Sequence, residues 1–340
     1  MKRLTVIMIA CLCAFIALPS AFAAAPAIKY KEAPALAALV KAGKLPAVDK
    51  RLPEHPLVVP GEEIGQYGGV WHRGFLGPSD FNGVNRVIYD VLARYGPDGA
   101  TIEMKLAESV TPSPDFKTWT VKLRKGMKWS DGSPFTTDDI MYWYKDVLQN
   151  KDLQPATPSW MLNKDGTTVR VEKVDNLTVK WTFNDPNTNF LLELTTKDYG
   201  DQQYPIFQPS KYLKQFHASY AKKEVLDKMV ANAKFNTWVQ LYANKQSPFD
   251  NPERPGMAAW IASNRISDQI FILKRNPYYI GVDKAGNQLP YMDEVQIKFF
   301  ADAQALNLAA IAGELDEQER HINLLNYPVL KENVQNQGKY

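Results

Sequence analysis

Histidine and cysteine, the side chains that most often bind transition metals or act as nucleophiles, are sparse and scattered in this sequence of 340 residues. Both cysteines fall within the first 13 residues, and the HExxH and GxSxG motifs are absent. A structural zinc site needs four such ligands close together, and a serine hydrolase of the common α/β type needs the GxSxG elbow. The four histidines are His55, His72, His217 and His321. We therefore expect neither a metal site nor a nucleophilic catalytic centre.

Adjacent carboxylates could do acid–base chemistry, and the sequence has two such pairs, Asp138-Asp139 and Asp293-Glu294. The pairs fall at the start of a predicted helix and of a predicted strand, where capping or solvation is the favoured role. Glycoside hydrolysis would need a pair that faces one cleft. A calcium loop over 283–294 is rejected, because Ala285 and Gln288 occupy positions that need an oxygen ligand and glycine. Phosphate-binding GxGxxG and GxxxxGK[ST] loops are absent too.

Several segments have the periodicity of regular elements that would position any binding residues. Alternating apolar residues predict strands over 118–123, 177–183 and 295–299. A first strand is predicted at 67–71, followed by loop 74–83, which combines aromatic and short polar side chains. Such a loop is typical of ligand-binding strand ends in α/β proteins, although an ordinary surface loop fits equally well.

Helical spacing predicts one helix over 85–95 and another over 303–312. In the second helix we expect Leu308 and Ile311 to face inward. A third predicted helix begins after Thr136, whose hydroxyl is a good N-cap. Together with the strands, these helices indicate an α/β protein without visible internal repeats.

Composition predicts a globular protein of two or three domains, with 45% hydrophobic and 23% charged residues and a formal charge of +3. This near balance gives no reason to expect nucleic acid as a partner. Residues 1–23 resemble a secretory signal peptide, with Lys2 and Arg3, an apolar stretch over 4–18 and a small-residue end at Ala23. A retained membrane anchor is the alternative. Cleavage after Ala23 would leave a cysteine-free, exported chain, which we expect in the periplasm.

Three blocks of sequence, in order, carry a resemblance to a known family. The first joins LAES at 106–109 to DFKTWTVKLRKGMKWSDGSPFTTDD at 115–139, and the others are RNPYY at 275–279 and AGELD at 312–316. They resemble the family 5 bacterial extracellular solute-binding proteins, the receptors of ABC importers for peptides, nickel and oligosaccharides. Within the first block the residues make turns and core, so it carries a folding pattern and no ligand contact.

The resemblance implies an α/β fold with a lobe like that of type II periplasmic binding proteins, an extra α/β subdomain and an incomplete second lobe. The implied organisation follows the signal peptide with an N-terminal arm (24–65). Lobe one would combine 66–104 with 198–300, the inserted subdomain would be 105–197, and lobe two would begin at 301–340. Family members continue well past this length, so we expect either a fragment or a truncated gene.

The arm, the Tyr67-Gly68-Gly69 turn and the stretch 282–293 look most like a subgroup associated with oligosaccharide uptake. Sugars favour aromatic platforms with planar polar partners, and five residues at strand and loop ends could supply them. These candidate ligand-binding residues are Trp71, Phe75, Asp80, Asn82 and Trp260. The alternative for each aromatic residue is a place in the core. An oligopeptide ligand stays open, since its usual charged anchors would fall largely in lobe two.

We therefore expect a periplasmic receptor that captures an oligosaccharide, or else an oligopeptide, for an ABC permease of the inner membrane. It would be a monomer without enzymatic activity, cofactor or metal. From other classes, a secreted carbohydrate-active enzyme and a nonfunctional truncated receptor remain as alternatives.

Overall fold

The computed structural model describes residues 30–196 and 206–337. The predicted signal peptide (1–23) lies outside the described residues, as do 24–29 of the predicted arm, residue 197 of the predicted subdomain and 198–205 of the predicted lobe one. Within the described ranges, no helix combines the length and the apolar character needed to cross a membrane.

Strands and helices are interspersed along the described chain. The strands are β1 (Leu57–Val58), β2 (Val70–Phe75), β3 (Ala93–Tyr95), β4 (Ile102–Met104), β5 (Ala107–Pro112), β6 (Thr118–Leu123), β7 (Arg170–Lys173), β8 (Thr178–Thr182), β9 (Trp260–Ala262), β10 (Ile270–Arg275), β11 (Gly281–Val282) and β12 (Glu294–Phe299). The helices are α1 (Pro34–Lys41), α2 (Val48–Arg51), α3 (Phe81–Ile88), α4 (Thr137–Tyr142), α5 (Phe190–Glu193), α6 (Ser210–Leu213), α7 (Lys223–Asn232), α8 (Trp238–Gln246), α9 (Ala303–Ile311) and α10 (Tyr327–Gln337). A π-helical turn continues α4, and short 3-10 turns include Pro78–Asp80 and Leu324–Asn326.

A four-stranded mixed sheet in the order β2-β12-β10-β9 forms the first layer. β12 runs parallel to β2 and antiparallel to β10, so residues about 220 positions apart in the chain become neighbours. One face of this sheet packs its buried residues against α3. On the other face, a Cβ at Gly74 would lie 2.9 Å from the ring of Phe300, so glycine permits the close approach of the chain that leads into α9.

The second sheet is antiparallel, in the order β5-β6-β8-β7. Trp119, Val121 and Leu123 of β6 are buried and alternate with more exposed residues, as the sequence pattern predicts. The same hydrophobic core continues into α6, α7 and α8, through residues such as Leu213 and Tyr242. The predicted subdomain 105–197 therefore shares its core with later residues, and the domain boundaries stay predictions.

Two helix predictions were wrong in detail. The predicted helix over 85–95 is α3, which begins at Phe81 and ends at Ile88, because Tyr89 adopts an extended conformation. The chain beyond it forms β3 instead. In α9, Leu308 is 60% exposed, and the buried face contains Leu306, Ala309 and Ala310. This helix is apolar on more than one side, so periodicity alone could not select the buried face.

The segment before β2 lies against residues 277–288. β1 pairs in parallel with β11, and Lys31 forms a further bridge with Asn287. The guanidinium of Arg51 is buried, where it pairs with Glu32 and donates 2.9 Å to Oε1 of Gln288. A buried charge with this many partners fixes the segment to the main body.

Candidate functional site

Trp71 and Trp260 lie side by side on one face of the first sheet. Trp71 is the first residue of β2 whose side chain lies on the same face as Phe75. It lies opposite Val295 of β12, which lies opposite Leu273 of β10, which lies opposite Ala262 of β9, so these side chains share one face of the sheet. Trp260 lies two residues before Ala262 and so shares its face. The two indole rings are 5.8 Å apart between centroids, tilted by 54°, and both side chains are half-buried. Two of the predicted binding residues are thus brought together.

The loop before Trp260 is fixed by one buried side chain. The amide of Asn276 donates 2.9 Å to the carbonyl of Ala258, and its backbone N–H donates 2.8 Å to the carbonyl of Ala259. The indole N–H of Trp260 points to the carbonyl of Met292 at 3.4 Å. These contacts hold the ring at the start of β9.

Arg73 lies over part of the Trp71 ring and forms ion pairs with two acidic side chains. Its guanidinium carbon lies 5.0 Å from the ring centroid of Trp71, a cation–π distance. Arg73 also pairs with Glu317 at 3.0 Å and with Glu319 at 3.1 Å, and Glu319 pairs with Arg86 at 2.8 Å. The indole therefore borders a group of planar, charged side chains.

These acidic partners arrive on a segment, 316–321, that follows the free edge of β2. The N–H of Asp316 donates 2.9 Å to the carbonyl of His72, whose own N–H donates 2.6 Å to the Asp316 carboxylate. Further along, the N–H of Gly74 donates 2.9 Å to the side-chain oxygen of Gln318. The edge of the sheet is in this way bonded to a segment 244 residues later.

Asp80 is 9% exposed, and its two carboxylate oxygens are occupied by partners in the protein. Oδ1 accepts from Arg320 at 2.9 Å, and Oδ2 accepts from the Leu76 N–H at 3.0 Å and lies 2.7 Å from Nε2 of His321. His321 has a positive φ of 65°, which is uncommon for a residue other than glycine. As a result, Asp80 organises the loop after β2 rather than presenting a free acceptor.

The other two predicted residues differ from each other in position. Phe75 is 1% exposed and lies in the core. Its ring packs edge to face with that of Phe299, with 6.2 Å between the two ring centroids. It was wrong to count Phe75 as a platform, because inward alternation along β2 carries it under α3, where no ligand face is left. Asn82 is half-buried in the first turn of α3, beside Asp80.

Sequence reasoning missed the charged residues that surround Trp71 and Asp80. Arg73 could have been found, because period-two alternation places it on the same face as Trp71. No local sequence pattern indicated the partners that lie later in the chain, because segment 316–321 reaches β2 only in the folded protein. These missed residues are Arg73, Arg86, Glu317, Glu319, Arg320 and His321.

The carboxylate pair Asp138-Asp139 has a structural role. Asp139 is buried and accepts from the Thr136 N–H at 3.1 Å and the Ser210 hydroxyl at 2.7 Å. Burial raises the pKa of Asp139, although these hydrogen bonds oppose the change. Asp138 faces solvent and pairs with Lys173 at 2.7 Å. In the part of the chain that the structure describes, no three His, Cys, Asp or Glu side chains are grouped to hold a metal ion.

A mixed α/β lobe with these features is of the class of type II periplasmic binding proteins, as the similar solved structures also indicate. The chain belongs to family 5 of the bacterial extracellular solute-binding proteins, since the model of that family's middle region matches residues 101–338.

Several relatives show what the chain is similar to. It is 32% identical over 317 residues to a periplasmic alpha-galactoside-binding protein of Rhizobium meliloti strain 1021, covering 84% of this chain and 42% of the relative. An oligopeptide-binding protein OppA of solved structure matches with a TM-score of 0.84 and 39% identity, covering 91% of this chain and 48% of that one.

A third similar protein was solved with a sugar. The periplasmic binding protein MelB of Agrobacterium fabrum C58, in complex with stachyose, matches with a TM-score of 0.71 and 28% identity. The match covers 92% of this chain and 46% of that structure. The chain thus spans less than half the length of each of these three proteins.

Proposed function

We propose that the protein acts as a periplasmic solute-binding receptor of an ABC importer and captures an oligosaccharide of the α-galactoside class. The relatives above are binding proteins, and two of their names refer to α-galactosides or to a bound galactose-containing sugar, stachyose. In this reading the first sheet supplies one wall of the ligand site, at Trp71 and Trp260.

The charge balance around Trp71 is the observation that carries the proposal. Three guanidinium groups meet three carboxylates there, through the pairs of Arg73 with Glu317 and Glu319 and of Arg320 with Asp80. Arg86 is the third guanidinium group. A charged peptide terminus would have to displace an internal ion pair, which is costly when the partners are partly buried. An uncharged sugar can instead stack on an indole and bond to planar groups that stay paired.

An oligopeptide ligand is the second candidate, because the structure of OppA is similar over 91% of this chain. The same guanidinium and carboxylate groups could then recognise peptide termini. The two ligand classes are separated by titration calorimetry of the whole protein, as purified from its host, with stachyose and with peptides of three to five residues.

We expect saturable binding of stachyose and about a tenfold loss of affinity, ~1.4 kcal/mol, in Trp71→Ala and Trp260→Ala. Tyr95→Ala is the matched control, because Tyr95 is 43% exposed on β3, which pairs with β4 and not with the sheet that carries both indoles. Trp71→Phe guards against a folding defect, since it keeps an aromatic ring in the sheet. Saturable peptide binding without sugar binding would contradict the proposal, as would equal affinities in all variants.

A further inference from the structure

A second concave site is lined in part by Trp260 and does not include Trp71 among its lining residues. It is a cavity of about 310 Å³ between segment 59–64 and the loop 289–292. We call it the arm pocket. The apolar side chains that line it include Val59, Ile64, Trp260, Leu289, Pro290 and Met292.

The loop side of the arm pocket is held rigidly by one buried arginine. Nε of Arg275 donates 2.9 Å to the carbonyl of Pro290, and Nη1 pairs with Asp293 at 2.5 Å. Arg275 also donates to the carbonyl of Tyr291, and the hydroxyl of Tyr67 donates 2.8 Å to the carbonyl of Gln288. A wall fixed in this way is formed before any ligand arrives, which lowers the cost of binding.

Of the three charged side chains that line the pocket, those of Asp283 and Lys284 have partners within the protein, and that of Glu63 is exposed to solvent. Oδ2 of Asp283 accepts from the Tyr291 hydroxyl at 2.5 Å and from the Asn287 amide at 2.6 Å. Burial acts to raise the pKa of Asp283, but these hydrogen bonds outweigh it and the pKa is lowered, so the carboxylate only accepts. The ammonium of Lys284 donates 3.1 Å to the carbonyl of Glu62. The interior therefore favours an uncharged group.

We propose that the arm pocket binds a small, uncharged aromatic or alicyclic molecule, with the indole of Trp260 as one wall. A dry apolar cavity of roughly 150 Å³ accepts benzene, so a volume about twice as large suits a bicyclic group. Preformed pockets with mostly apolar walls are the usual binding sites for such molecules. The arm pocket shares Trp260 with the proposed solute wall, but its other walls come from segment 59–64 and loop 289–292. The substitutions that test it therefore lie outside the solute wall, and their outcome does not depend on the identity of the transported solute.

The first test compares two probes of matched shape on the full chain by titration calorimetry. 2-Naphthol is an uncharged bicyclic aromatic, whereas 2-naphthalenesulfonate adds a full negative charge. We expect saturable 1:1 binding of 2-naphthol and at least tenfold weaker binding of the sulfonate. Equal affinities, or heats that do not saturate, would overturn the proposal.

The second test fills the pocket from each of its two walls. Val59→Phe fills it from segment 59–64, and Ala259→Leu fills it from the residue before Trp260. Val58→Phe is the matched control, because Val58 is the 55% exposed neighbour of Val59. We expect each filling variant to bind 2-naphthol at least tenfold more weakly and the control to bind normally. If only Val59→Phe weakens binding, displacement of the segment explains the loss and the pocket assignment is wrong.

Discussion

His217 is a histidine that the fold keeps neutral. It is completely buried, its Nε2 lies 2.8 Å from the carbonyl of Asp146, and its Nδ1 accepts from the Ser219 N–H at 3.1 Å. The proton therefore sits on Nε2. Aromatic rings surround the imidazole, namely those of Tyr142, Tyr220, Trp238 and Tyr242. Burial lowers the pKa of His217, and the bond to Asp146 opposes this only in part.

The free energy of unfolding should consequently fall as the pH drops below 6.5, the ordinary pKa of histidine. The unfolded chain takes up a proton there that folded His217 does not, so the loss is at most about 1.4 kcal/mol per pH unit from this residue. Urea unfolding between pH 7.5 and 5 measures the slope.

Two variants isolate this contribution of His217 from those of other groups. His217→Phe should flatten the slope, while His55→Gln, at an exposed histidine, should keep it. The comparison between variants is needed because burial raises the pKa of Asp90 and Asp139, which changes stability in the opposite direction. An unchanged slope in His217→Phe would rule out the assignment.

At the scale of elements, one carboxylate joins three segments of the larger core. Asp139, in the first turn of α4, accepts from the backbone of its N-cap, Thr136, and from the indole N–H of Trp129 at 3.2 Å. Its other oxygen accepts from the N–H and hydroxyl of Ser210, at the start of α6. The relative placement of α4 and α6 depends on these bonds.

Asp139→Ala should therefore lower the free energy of unfolding by about 3 kcal/mol, because several buried donors lose their acceptor. Asp138→Ala is the control from the next position, where the surface ion pair with Lys173 contributes at most about 1 kcal/mol. Urea titrations of both variants at pH 7 give the comparison. Equal losses of unfolding free energy in the two variants would contradict this role of the buried Asp139 carboxylate. Asp139→Asn keeps the shape of the side chain without its charge, and so tests whether shape alone maintains the stability.

Elements with strict alternation could be predicted from sequence, and the contacts between distant elements could not. The strands β6, β8 and β12 follow from period-two patterns, because each has one buried face. Trp71 and Trp260 could be proposed singly as ligand platforms. Their contact could not, since it depends on the order of four strands. The same holds for the ion pair between Arg73 and Glu317, which no local pattern encodes.

At the scale of the whole molecule, the most exposed large apolar side chains among the described residues lie in the segment that follows α9. Leu324 and Leu325 are 86% and 84% exposed, beside Leu308 and a groove of about 750 Å³ next to α9. Asn307 connects the segments that form this surface. Its Nδ2 donates to the carbonyl of His321 at 2.6 Å, and its Oδ1 accepts from the Asn326 amide at 2.6 Å. Exposed apolar surfaces of this kind often mark interaction sites, so we expect this one to bind apolar probes.

The 340-residue chain should bind the dye 8-anilinonaphthalene-1-sulfonate at this surface. Replacing both Leu324 and Leu325 with Ser should lower the dye fluorescence several-fold, because the most exposed apolar area is lost. Val174→Ser, at an isolated residue that is 54% exposed, should leave the fluorescence unchanged. If the double variant binds the dye as strongly as the unaltered chain, another surface is responsible. Light scattering of the same samples reports association.

The parallel pairing of β2 with β12 also has a consequence for the order of folding. Trp119 and Trp181, opposite each other in the second sheet, are 62 positions apart, whereas 189 positions separate Trp71 from Trp260. Joining the more distant pair closes a loop three times as long, at an extra entropic cost of roughly 1 kcal/mol. High contact order slows assembly in the same way. We therefore expect the indole pair that forms the candidate ligand wall to form later in refolding than the pair in the second sheet.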